Sequence, residues 1–304
     1  MSDDNVQIFP TTKRISLNDK ATKLLFNLPP DWYYQMILQK KKQGVIEKKN
    51  HKKHGKIKSR FSISNEEGYT QILPLDEYDR AVFDVCISEY EEGNTVISLA
   101  MIQRGLSGKN ATAEDGGARA YKNQRAAILQ SLGKLRHTDY NAEILEAFKI
   151  LGYDDGTAEK IVVAPVLATK QTCKTINGQK TDLFYILDES PVLKQAKLKG
   201  QILTYDADLL DVPEQNNTRL VVMLKNYTLR RVLECKQHSR QMKPILTIED
   251  IFEKCRITDA HLEIKRRARD YLDKFFAHLQ SNGVIKSYEF TKKGRTFYSI
   301  KFTF

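Results

Sequence analysis

The stretch "EIKRRARDYLDKFFAHLQSNGVIKSYEFTKKGRTFYSIKFTF", Glu263–Phe304, begins as a helix and ends as a ribbon. Ile264, Ala268, Tyr271, Leu272, Phe275 and Leu279 fall on one helical face, the expected core side. Leu262, Lys265, Arg266 and Arg269 share the opposite face, so three cations crowd the N-terminal half of the helix. Gly283 is a stop signal. Beyond it the period drops to two: Tyr298, Ile300, Phe302 and Phe304 alternate with Ser299, Lys301 and Thr303, predicting a hairpin with one buried face. Its tip, "TKKGRT", places Lys292, Lys293 and Arg295 around Gly294.

The preceding residues complete the pattern. "TIEDIFEKC" reads as a short helix capped by Thr247, and "RITDAH" as a turn. Short helix, turn, basic helix and basic-tipped hairpin, in that order, predict a winged helix-turn-helix. An α-helix fits the major groove of B-DNA, where Arg and Lys reach guanine or phosphate, and the hairpin tip would touch the adjacent backbone. The helix by itself reads better as a core element whose charges merely face solvent; the order of elements carries the reading.

A similar order occurs upstream. "LPLDEYDRAVFDVCISEY" has helical spacing with Asp76 able to cap. In "NTVISLAMIQRGL", Ser98 is a candidate cap for a short helix that Gly105 would end. "ARAYKNQRAAILQSLGKLR" predicts a third helix with Tyr121, Gln124, Ile128, Leu132 and Leu135 inward and Arg119, Lys122, Asn123, Ala126 and Gln130 outward. From Arg119 to Arg136 the cations Arg119, Lys122, Arg125, Lys134 and Arg136 stand without an acid, which marks a second candidate recognition helix. "NAEILEAFKILGY" reads as a helix, and two β-rich runs meet at Asn177-Gly178, a strong hairpin signal. A short helix opened by Pro191, a strand and a capped turn at Asp206–Asp211 follow. Residues 213–217, "PEQNN", are the linker candidate, and a long helix starts just beyond them.

These readings give an α+β chain: a largely flexible basic arm at 1–68, a first winged-helix domain with a long hairpin at 69–212, and a second at 218–304. Order is expected to begin near Tyr69. The 304 residues suffice for two cores. Residues 1–60 hold 14 Lys/Arg and 5 Asp/Glu, residues 61–224 hold 17 and 24, and residues 225–304 hold 18 and 9. Basic ends flanking an acidic middle suit a polyanion gripped at the ends. In the arm, Lys48, Lys49, Lys52, Lys53, Lys56, Lys58 and Arg60 are candidates for non-specific phosphate contact.

Other chemistry lacks its residues. There is no G-x-x-x-x-G-K-[ST], no His-x-His, no G-x-S-x-G and no H-E-x-x-H. Cys86, Cys173, Cys235 and Cys255 are scattered and read as small core residues. His51 and His54 sit among lysines that oppose a metal. No catalytic residue, metal or cofactor is expected. No apolar run approaches a membrane span, and the acidic start has no signal-peptide h-region, so the expected compartment is the cytoplasm, without a membrane partner.

In order of elements, "LPLDEYDRAVFDVCISEYEEGNTVISLAMI", "INGQKTDLFYILDESPVLKQAKLKGQILTYDADLL" and "LEIKRRARDYLDKFFAHLQSNGVIKSY" resemble the replication initiators of plasmids and related mobile elements that bind repeated origin sequences, called iterons. The resemblance covers roughly residues 70–304 and leaves the basic arm unaccounted for. It implies sequence-specific binding of double-stranded origin DNA through two recognition helices in successive major-groove windows. It also implies recruitment of a host replicative helicase or its loader, and a homodimer that represses its own gene. Two alternatives stay open at this point: a winged-helix transcriptional regulator without a replication role, and an interaction scaffold using the acidic middle.

Overall fold

The computed structural model describes residues 13–17, 50–52, 55–57, 75–108, 122–137, 139–140, 164–165, 167–176, 179–190, 193, 196–197, 200–213, 217–294 and 296–304. In chain order its strands are β1 (Lys13–Leu17), β2 (Asn50–Lys52), β3 (Gly55–Ile57), β4 (Val96–Ser98), β5 (Asp139–Tyr140), β6 (Ala164–Pro165), β7 (Thr169–Ile176), β8 (Gln179–Ile186), β9 (Ile202–Asp206), β10 (Ile245–Thr247), β11 (Ser287–Lys293) and β12 (Thr296–Thr303). Its helices are α1 (Glu77–Glu91), α2 (Leu99–Ser107), α3 (Lys122–His137), α4 (Arg219–Gln237), α5 (Ile248–Lys254) and α6 (Leu262–Ser281). The mixed helix-and-sheet content is α+β.

One topology occurs twice. With the short β5–β6 pair set aside, the order α1-β4-α2-α3-β7-β8 is matched by α4-β10-α5-α6-β11-β12. Each set closes an antiparallel three-stranded sheet in which the short strand pairs with the second hairpin strand, β4-β8-β7 and β10-β12-β11. Caps set the corners. Ser98 ends β4 and accepts from the Met101 N–H at 3.2 Å to start α2, and Thr247 ends β10 and accepts from Asp250 N–H at 3.1 Å to start α5. The strands β4 and β10 were not expected from the sequence, since three residues are too few to show a period. Ile176 pairs with Gln179, so β7 and β8 join through two residues; Asn177 and Gly178 themselves lie outside the described residues, as does "NAEILEAFKILGY".

The α2 helix does not end at Gly105. It continues to Ser107, and Gly108 closes it in the left-handed region at φ 82°. Gly105 instead lets α2 approach α1: a Cβ there would lie 2.6 Å from Val85 Cγ1.

Helix α1 is buried without interruption from Glu77 to Glu89. β1, α2, α3 and α4 all pack against it. A helix enclosed on every side is ordinarily apolar all round; this one carries Glu77, Asp79, Arg80, Asp84 and Glu89. Each acid meets a donor from another element. Arg230 of α4 donates to both Glu77 oxygens at 3.1 Å. Lys134 and Ser131 of α3 donate to Asp79 at 2.8 and 2.6 Å. Ser16 of β1 donates to Asp84 at 2.7 Å, and Arg14 lies 3.6 Å from Glu89.

Donors from two elements, β1 and α3, correct the sequence reading. Order was expected from Tyr69, yet Lys13–Leu17 pairs antiparallel with β9 over its full length. Its inward residues are Arg14 and Ser16, both buried, so alternation that looks for apolar residues passes over it. The rest of the expected arm is described only at the short β2–β3 pair. Lys134, counted among the solvent cations of a recognition helix, is a buried partner of Asp79.

Helix α4 touches both sets, packing on α1 as well as on α5 and α6. At its start Arg219 pairs with the buried Asp76 at 2.5 Å and lies 4.8 Å over the Tyr78 ring. Asp76 also caps α1, accepting from Tyr78 and Asp79 N–H. Arg256, in the turn between α5 and α6, donates to Leu75 O at 3.1 Å from a left-handed backbone at φ 55°. Burial pushes the Asp76 carboxyl up, but Lys134, Arg219 and Arg256 together outweigh it and hold it below the usual aspartate range.

Replacing Arg230 with Met leaves Glu77 charged and buried, which should cost about 3–5 kcal/mol in urea unfolding, while adding Glu77→Leu should recover most of that loss. Asp84 gives a pH test. Burial pushes its carboxyl up to about 6, against Arg80, the Ser16 hydroxyl and Arg230, with Glu77 adding repulsion. The folded state therefore holds this proton longer than the unfolded chain, and its contribution to stability is lost as pH rises from about 4 to 6. Asp84→Asn keeps an acceptor for Ser16 but cannot ionise. Its stability relative to the native chain should rise across that window by about 2–3 kcal/mol, measured as the difference between two denaturation series; a constant difference would refute the assignment.

Candidate nucleic-acid interface

The α5–α6 pair presents the C-terminal site. His261 caps α6, its ring nitrogen accepting from Glu263 N–H at 3.4 Å. Ala268, Leu272, Phe275 and Leu279 are buried, as the helical period predicts, and so is Phe276, which that period did not place inward. Ile264 is not: it is 41% exposed, because the core does not extend to the first turn. Leu262 beside it is 77% exposed.

The three helix cations stand in different surroundings. Arg266 is 61% exposed and clasps Glu263 through Nε and Nη2 at 3.0 and 2.9 Å. Arg267, which the sequence reading did not use, meets the same carboxylate at 3.1 Å. Hydrogen bonds from these two guanidinium groups draw the Glu263 carboxyl down to about 2. Arg269 is half-buried, bonds back to Lys265 O at 3.4 Å and lies 5.3 Å over the Phe297 ring. Lys265, one turn earlier, makes no ion pair among the described residues. So Arg266 is held by neighbouring carboxylates, whereas Lys265 and Arg269 are not. Exposed pairs such as Arg266–Glu263 are screened by solvent and add little, so a phosphate can compete for the guanidinium.

The hairpin contributes Lys292, whose Nζ lies 4.7 Å over the same Phe297 ring. The ribbon is not regular there. Thr291 pairs with Ser299 and Lys292 with Phe297, so Tyr298 has no partner on β11. This bulge expels Tyr298, expected inward, to 50% exposure. Ile300 and Phe302 are buried as expected. Lys293 is the last residue of β11 but its side chain is outside the described residues, as is all of Arg295. Tyr288 ties the ribbon to the helix by donating to Asp273 Oδ1 at 2.9 Å; burial first, then this bond, pushes its phenol up to about 12.

In the first set, Ile128, Leu132 and Leu135 of α3 are buried and Ala126 and Gln130 exposed, as the period predicts. Arg125 reaches Asp182 of β8 at 2.5 Å, tying the candidate recognition helix to its hairpin. Gln124 accepts from Gln103 of α2 at 2.7 Å. Lys122 and Asn123 open α3, with side chains outside the described residues; Tyr121 and Arg119 lie wholly outside them. Lys52 and Lys56 fall on β2 and β3, while Lys48, Lys49, Lys53, Lys58 and Arg60 lie outside. Asp206 pairs with Lys13 instead of capping the 3-10 turn at Ala207–Leu210.

No family model matches this chain, and no curated protein does. A crystal structure of a Pi initiator protein in complex with iteron DNA aligns over 96% of each chain, at 14% identity and a TM-score of 0.35. No helix among the described residues is long and apolar enough to cross a membrane.

An NMR titration should find Glu263 ionising near pH 2 in the free protein. In an Arg266→Ala, Arg267→Ala chain it should return towards 4.5, the ordinary glutamate value; an unchanged titration would show that the clasp does not form in solution.

Proposed function

We propose that this chain binds double-stranded DNA through two winged helix-turn-helix units, residues 69–212 and 218–304. On this reading α3 and α6 are the recognition helices, the β7–β8 and β11–β12 hairpins are the wings, and the basic segment before residue 69 adds phosphate contacts. The observation that carries the reading is the cationic face shared by helix and ribbon: Lys265 and Arg269 on α6, with Lys292 on β11 drawn to the same aromatic ring as Arg269. Among the described residues none of the three has a carboxylate partner. Cations left without acids, on a helix that follows a short helix and a turn, match what groove entry demands. The doubled topology supports giving α3 the same role by its position, although its cations Arg125 and Lys134 meet Asp182 and Asp79.

The biological role we propose is replication initiation: recognition of origin repeats of a plasmid or mobile element, helicase or loader recruitment, and repression of its own gene as a dimer. The resemblance in element order over residues 70–304 supports it. The protein acts in the cytoplasm by binding, with no catalytic step.

The test is a binding titration of the whole chain against duplex from the DNA flanking its gene, beside a scrambled control. The native chain should prefer the flanking repeats. Lys265→Ala should cost about 1–3 kcal/mol where a base is read, and both it and Arg266→Ala should narrow the gap between repeat and scrambled duplex. Failure to retain any duplex at roughly 0.1 M salt, where charges still act over about 10 Å, would overturn the reading. Replication is tested separately: a plasmid carrying the gene and its flanking DNA should maintain itself, and a repressor alone would not support that.

A further inference from the structure

A ladder of aromatic rings climbs from the core of the second set to its cationic face. Phe276 of α6 is fully buried and packs its ring 5.5 Å from Tyr288 and 5.9 Å from Phe302. Tyr288 meets Phe290 nearly edge-on at 6.2 Å, and Phe290 meets Phe297 nearly edge-on at 5.8 Å. Phe297 is the last rung. Above its ring lie a cation from the helix, Arg269 at 5.3 Å, and one from the opposite strand, Lys292 at 4.7 Å.

Regular pleating would forbid this. Ile300 faces the core, so unbroken alternation along β12 would send Tyr298 inward and Phe297 away from α6. The bulge inserts Tyr298 as an extra residue and reverses the alternation beyond it. Phe297 therefore turns back towards α6, and Lys292, its cross-strand partner, shares that face. Bulges beside binding sites commonly re-aim one side chain, and here the re-aimed group is a π surface between two elements that must meet the same ligand.

We propose that Phe297 is a positioning residue for the polyanion: its ring pre-orients Arg269 and Lys292 so that helix and ribbon grip neighbouring phosphates as one unit. This deepens the duplex-binding reading and rests on it. Long cationic side chains lose rotamer freedom when they engage a phosphate, and resting on a ring beforehand lowers that loss. The ring does not touch the ligand.

The test uses the whole chain and a random-sequence duplex, with affinity measured across NaCl concentrations. Phe297 is replaced by Leu, by Trp, and by a trifluorinated phenylalanine that keeps the shape but empties the π face. Each phosphate contact contributes about 0.9 to the slope of log affinity against log salt. Phe297→Leu and the fluorinated chain should bind about threefold to tenfold more weakly at low salt, with the slope shallower by about 1 to 2. Phe297→Trp should retain the native slope. Thermal unfolding of the fluorinated chain should match the native chain, which separates positioning from packing even if Phe297→Leu folds poorly. A fluorinated chain with native affinity and slope would overturn the inference while leaving duplex binding intact. A native chain with no salt-dependent duplex binding would overturn both.

Discussion

The fold depends on compensating one acidic helix. Helix α1 sits at the centre of the first set, and its carboxylates from Glu77 to Glu89 are buried away from water. An isolated buried charge costs several kcal/mol even after relaxation, so α1 is tenable only while Arg14, Lys134 and Arg230 stand where they do. Those three residues come from β1, α3 and α4, one element before α1 in the chain and two after it. The same network therefore fixes where the N-terminal strand docks, how α3 lies, and how α4 carries the second set. Apolar residues at those positions would pack as well; charges add selectivity, because a misplaced element leaves an acid exposed to no partner.

This changes how the charge distribution is read. Basic ends flanking an acidic middle look like two grips for a polyanion. Part of that asymmetry is internal bookkeeping instead: Arg14 from the basic N-terminal stretch and Arg230 and Arg256 from the basic C-terminal stretch neutralise acids of the middle. The sum of charge over a segment overstates what it offers a ligand. What remains for a ligand is the set of cations without an internal carboxylate, and Lys265, Arg269 and Lys292 are of that kind among the described residues.

Local chemistry was legible in the sequence at most places where one residue decides the outcome, the stop expected at Gly105 being an exception. Asp76, Ser98 and Thr247 cap the helices they were expected to cap, because an N-cap needs only its own side chain and the next turn. The hairpin after Ile176 and the stop at Gly283 are of the same sort. What could not be read depends on a partner far along the chain. β1 hides because its inward residues are Arg14 and Ser16, whose burial makes sense only beside Glu89 and Asp84. Lys134 looks like a surface cation until Asp79 is beside it. The inward placing of Tyr298 failed for another reason: alternation is a rule of regular strands, and a bulge is a choice of register that the strand's own sequence does not display.

That bulge also bears on why helix and ribbon should act together. Two cations on separate elements would each meet a phosphate independently, with their spacing set only by flexible stems. Anchoring both to a ring that is itself wedged against Phe290 transfers the rigidity of the core to the surface. Arg266 follows the opposite logic. It is held by Glu263 at an exposed site where the pair is weak, so it is available at small cost but not fixed in direction. On the duplex-binding reading proposed above, one face combines a rigid pair for phosphates with a releasable arginine for base edges, a division of labour that follows from burial and not from charge.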